Sequence, residues 1–127
     1  MSSTPLASGT VGWTDLTVQD ADKVRDFYCE VVGWKYNPVD MSGYNDYTML
    51  SSDGASTAGV CHARGVNADL PAQWLIYITV DNMETSIERC IQLGGKVIAG
   101  PKGTGGTSRY CIIKDPAGAV CALYQAQ

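Results

Sequence analysis

The sequence predicts an α+β fold: two βαβββ modules forming paired curved sheets around a shared cleft, with one helix outside each. Three observations predict it. The chain repeats itself, each half carries one helical stripe among strand-like runs, and a four-stranded half cannot close its apolar face alone. The repeat is read by sliding the sequence along itself: Thr17-Val18 falls on Thr79-Val80, Gly33 on Gly95 and Asp53 on Asp115, an offset of 62 residues. Leu16 with Ile78, Val31 with Leu93 and Leu50 with Ile112 keep the same gap-free register from residue 13 to residue 63.

The elements follow in order. Residues 11–18 are a β-rich run ending at Asp20, a residue type suited to cap a helix. Ala21, Val24, Tyr28 and Val31 then recur at helical spacing, and Gly33 stands where a left-handed helix terminus is expected. Strands are predicted near 34–39, 45–51 and 57–63, separated by turns at 41–43 and 52–54. The second half repeats the order: a strand at 74–80, then Asp81 and Glu84 as a capping box, then a stripe of Met83, Ile87, Cys90 and Ile91. Gly94-Gly95 ends that helix, and strands near 96–99, 108–114 and 119–125 complete the copy. Two loops stand out as candidate lids or ligand contacts: 100–106, with four glycines, and 41–46, with Tyr44 at its tip.

Composition narrows the function. With 127 residues the chain has the length of one domain, and 45% hydrophobic with 17% charged residues is a globular balance. A net charge of −4 without a basic run argues against nucleic acid as a partner. No apolar run is long enough to span a membrane, and residues 1–9 lack the pattern of a signal peptide. Five cysteines, an odd number with no C-x-x-C pair, read as reduced thiols of a cytoplasmic protein.

Several phrases resemble the vicinal oxygen chelate superfamily, which includes glyoxalase I, bleomycin resistance proteins and extradiol dioxygenases. They are Leu16-Thr-Val-Gln-Asp20, Val24-Arg-Asp-Phe-Tyr28, Val31-Val-Gly-Trp34, Val80-Asp-Asn-Met-Glu84, Leu93-Gly-Gly-Lys-Val97 and Lys114-Asp-Pro-Ala-Gly118. The resemblance implies a tail at 1–10 and a single domain over 11–127, with modules at about 11–64 and 73–126. It also implies four metal-ligand positions, on the first and last strand of each module. These map to Trp13, Val60, Leu75 and Ala122, and no side chain there offers a nitrogen, thiolate or carboxylate ligand. No metal cofactor is therefore expected. A two-residue slip would bring in only Asp15 and His62.

Strand alternation places Trp13 and Asp15, Leu75 and Tyr77, Val60 and His62, and Ala122 and Tyr124 on the cleft face. Aromatic walls with one carboxylate and one imidazole suit a small-molecule pocket. The expected function is metal-independent binding of an aromatic or cationic ligand by a homodimer, in the style of a bleomycin resistance protein. Two alternatives stay open. One is a glyoxalase-like lyase or isomerase with Asp15 or His62 carrying protons; the other is a structural module whose cleft its own side chains fill.

Overall fold

The computed structural model describes residues 6–103 and 108–126. In order, the chain forms β1 (Val11–Val18), α1 (Ala21–Val32), β2 (Lys35–Asp40), β3 (Asn45–Leu50), β4 (Ser56–His62), a 3-10 turn (Gly65–Asn67), β5 (Trp74–Thr79), α2 (Met83–Gln92), β6 (Lys96–Gly103), β7 (Arg109–Lys114) and β8 (Val120–Gln125). Each half is βαβββ, as the repeat predicts. Among the described residues, no helix is long and apolar enough to cross a membrane.

Two compact units divide the chain, one of residues 13–74 and one of residues 75–127 together with the N-terminal residues through Gly12. Thr10 belongs with the second unit because Thr79 N–H donates to its carbonyl at 2.8 Å. Trp74 belongs with the first because its indole N–H donates to the Tyr28 hydroxyl at 3.1 Å and its ring meets Tyr28 and Trp34 edge-on.

In the first unit the strands lie in the order β2-β3-β4-β1, with β1 and β4 parallel and the other pairs antiparallel. Helix α1 covers one face. Ala21, Tyr47, Met49 and Val60 form the core beneath it, joined by Val18, Val24, Cys29, Trp34 and Trp74. The helix ends at Gly33 with φ 76°, a left-handed turn that only a residue without Cβ takes at no cost. Val31 continues the helical spacing yet is exposed. Asp20 stands at the N-cap without a side-chain cap bond; its backbone carbonyl accepts from Val24 N–H at 3.1 Å.

The second unit repeats the plan with strands β5-β8-β7-β6, β5 and β8 being parallel. Met83, Cys111 and Leu123 are its core, with Ile78, Val80, Ile87, Val97 and Ile113 packed around them under α2. Asn82, not Asp81, caps α2: its side chain accepts from Thr85 N–H at 2.9 Å. Ile91, the last residue of the expected stripe, is exposed. β6 runs to Gly103, so the first part of the expected 100–106 loop is strand, and 104–107 lie outside the described residues.

Candidate functional site

The gap-free repeat does not persist into β4, and its loss relocates half of the expected site. β1 and β5 match at the offset of 62, so Asp15 is the counterpart of Tyr77. Asp15, however, pairs with Gly59, whereas Tyr77 pairs with Ala122. The counterpart of Ala122 is therefore Gly59, not Val60. Two changes combine: the turns closed by Ser51 with Ala55 and by Asp115 with Ala119 match at an offset of 64, and a bulge in β4 takes one residue back. Met49 pairs with Ala58 and Leu50 with Ser56, leaving one extra residue on β4, while β7 and β8 pair without a shift. One residue of slip turns every side chain of a strand to the other face.

Val60 and His62 accordingly leave the expected site. Val60 is fully buried in the core against α1. His62, two residues on, reaches α1 itself: its Nε2 lies 3.6 Å from Asp22 Oδ1, and its Nδ1 lies 3.4 Å from Asp46 Oδ1. Asp46 also accepts from the His62 backbone N–H at 2.8 Å. Tyr47 donates its hydroxyl to Asp22, a bond that, together with burial, pushes the phenol above its ordinary range. The Arg25 guanidinium lies 4.6 Å from the centres of the Tyr36 and Tyr47 rings. Tyr44 does not reach out from its loop; it packs edge-on against His62 at 5.5 Å, beneath the Arg64 guanidinium. This cluster ties α1 to β3 and β4. Asp15 and His62, the two candidate proton carriers, sit on opposite faces of one sheet and do not act on a common atom.

Away from α1, the first unit holds a second group. Trp13 and Asp15 project from the same face of β1, and the indole N–H donates to Asp15 Oδ1 at 2.8 Å. The Cys61 thiol stands 3.9 Å from the other carboxylate oxygen, a weak S–H donor on the neighbouring strand. Between them lies Gly59, which is buried and adds no side chain. A Cβ built on Gly59 would fall inside the Asp15 carboxylate and 3.5 Å from Trp13 Nε1. Burial raises the Cys61 thiol far above its ordinary range, and the negative charges of Asp15 and Asp46 raise it further.

That thiol provides a direct test of the local field. Replacing Asp15 with Asn removes one of the charges that disfavour the thiolate, so Cys61 should gain thiolate and react faster. Iodoacetamide labelling at pH 8.5, read by peptide mass spectrometry, is expected to speed up roughly 3- to 10-fold at Cys61 in D15N. An unchanged rate would mean that the carboxylate does not face the thiol.

In the second unit, Tyr77, Ala122 and Tyr124 keep the predicted face. Tyr77 pairs with Ala122, and Tyr124 pairs with Thr79 and Tyr110 in flanking strands. Tyr77 and Tyr110 bring their rings to 6.3 Å. Leu75 is almost fully buried. Sequence reasoning missed Gly59, Cys61 and Tyr110. Tyr110 could have been found by carrying alternation onto the middle strands; Gly59 and Cys61 could not, because their face depends on the change of register between the halves.

Correcting the register leaves Trp13, Gly59, Leu75 and Ala122 at the four positions where the resemblance puts metal ligands. An indole, a hydrogen and two alkyl groups do not fit a divalent cation.

Known proteins agree with this architecture. The profile of the glyoxalase/bleomycin resistance protein/dioxygenase superfamily matches residues 10–123. The CFP32 protein of Mycobacterium tuberculosis, which bears a provisional glyoxylase name, is 32% identical over 121 residues, covering 93% of this chain and 46% of its own length. The anthracycline biosynthesis protein DnrV of Streptomyces peucetius is 32% identical over 134 residues, covering 96% of this chain and 49% of its own. The chain thus spans about half the length of the curated relatives it matches. Among solved structures, a Streptomyces coelicolor methylmalonyl-CoA epimerase variant superposes with a TM-score of 0.60 at 14% identity, covering 94% of this chain and 99% of that one. That likeness is one of fold. The repeated βαβββ units, the closing Asp-Pro-Ala-Gly turn and the matching profile lead to one conclusion: the chain belongs to the glyoxalase/bleomycin resistance protein/dioxygenase superfamily.

Proposed function

We propose that this chain is a metal-independent small-molecule-binding protein that takes a planar aromatic ligand, with preference for positive charge. One observation carries the reading. At a position where the resemblance puts a metal ligand, the chain presents an indole whose N–H is held by a carboxylate, on a strand face shared with Cys61. A flat π-surface beside fixed negative charge suits a flat cation, through stacking and cation–π attraction. The net charge of −4 favours the same sign of ligand at long range. The relative named for anthracycline biosynthesis fits as well, since anthracyclines are fused aromatic ring systems. The chain works in the cytoplasm as a homodimer; its free cysteines and the exposed Phe27 and Val31, one turn apart on α1, support those two points.

The test is calorimetric titration of chelator-treated protein with proflavine, a planar cation, and anthraquinone-2-sulfonate, a planar anion. Proflavine is expected to bind at least ten times more tightly, with no change on adding nickel, zinc, manganese or iron(II). Failure of both probes, or binding only after metal is restored, overturns the proposal. The glyoxylase name of one relative favours a second reading, turnover with Asp15 as base; it requires activity that D15N abolishes.

A further inference from the structure

The pairing of Asp15 with a glycine has a steric reason that the counterpart pair of Tyr77 with Ala122 lacks. Gly59 adopts no positive φ, so its backbone could carry any residue; what forbids a side chain is the Asp15 carboxylate. That carboxylate occupies the volume of the absent methyl and from there accepts the Trp13 indole N–H. In the second unit the same place in the ladder carries Ala122, fully buried, and faces a tyrosine rather than an acid. The glycine therefore stands where the acid stands.

We propose that Gly59 is a positioning residue for aromatic recognition: by lacking a Cβ it seats the Asp15 carboxylate against β4, and the seated carboxylate fixes the Trp13 indole. This rests on the binding proposed above and adds what sets the ring in place. Gly59 touches no ligand in this scheme; it acts through Asp15. Cys61 on the same strand bonds the second oxygen, so the carboxylate is held from both sides and its plane is set. An indole fixed in this way loses little rotamer freedom when a flat ligand lands on it.

The experiment uses the full chain and the variants G59A, D15A and G59A/D15A. The first readout needs no ligand. In ¹⁵N-labelled protein the indole N–H resonance of Trp13, assigned with W13F, reports the hydrogen bond directly. G59A is expected to move that resonance toward its position in D15A and to weaken proflavine binding at least tenfold. G59A should also unfold at lower temperature, whereas the double variant should unfold close to D15A, because removing the carboxylate makes room for the new methyl. If G59A does not fold, D15A and the double variant still decide the matter: the double variant must fold with the D15A resonance. A Trp13 resonance left unmoved by G59A, or a double variant no more stable than the sum of the two single losses, overturns the proposal. If proflavine fails to bind even the unaltered protein, the binding proposal falls alone, and the resonance and stability still test the placement of the indole.

Discussion

Val60→Asp is expected to remove a large share of the protein's stability. The residue is fully buried among Ala21, Tyr47 and Met49 beneath α1. An ionised carboxylate there has no cationic or hydrogen-bonding partner among the apolar groups of this core. Burying an unpaired charge costs at least about 3–5 kcal/mol even after relaxation, against a total stability of about 5–15 kcal/mol for a domain. Val60→Ala, which only removes methyl groups, should cost about 2 kcal/mol and remain folded. Circular dichroism with urea unfolding separates the two outcomes. The comparison is diagnostic because the uncorrected repeat puts Val60 on the other face of β4. A residue there would tolerate aspartate, and the substitution would restore a carboxylate at a position where relatives of the resembled kind bind metal. A folded V60D protein with near-normal stability would therefore refute the pairing of Leu16 with Val60.

The same residue shows what the sequence could and could not disclose. Helical spacing and the glycine at 33 were enough to place α1 and its end, because both rest on local geometry. Strand existence was equally legible, since runs of β-forming residues are bounded by turn residues around 41–43 and 52–54. Register was not. The hairpin turns at 51–55 and 115–119 match at an offset of 64, the step from Met49–Ala58 to Leu50–Ser56 takes one residue back, and no periodicity marks either change. Trp13, Asp15, Tyr77 and Tyr124 kept their predicted faces because β1 and β5 still match at an offset of 62 and Tyr124 lies on the strand paired with β5. Val60 and His62 lie beyond both changes and changed faces together. Asp20 failed as a side-chain cap for another reason: cap residue type is a preference, while the backbone at its φ of −117° and ψ of 63° leaves the carboxylate outside the capping geometry.

Trp13→Ala is expected to produce the largest loss of ligand affinity of any single substitution on the first unit's non-helix face. Stacking on an aromatic ring contributes roughly 1–3 kcal/mol by alanine replacement, so proflavine should bind about 5- to 150-fold more weakly. Folding should survive, since Trp13 is only partly buried and belongs to neither helix-side core. Trp13→Phe separates the two roles of the indole. It keeps a π-face but removes the N–H that Asp15 accepts at 2.8 Å, so the ring loses its tether while the carboxylate loses a donor. An intermediate loss is therefore expected, smaller than that of W13A. Salt provides the independent check: attraction between proflavine and fixed carboxylates is screened as ionic strength rises, whereas stacking is not. Affinity should fall with salt in the unaltered protein and in W13F, and the salt dependence should shrink in D15N. Equal affinities for W13A and the unaltered protein would remove the indole from the site. A salt dependence that D15N leaves intact would instead remove Asp15 as the source of the charge preference.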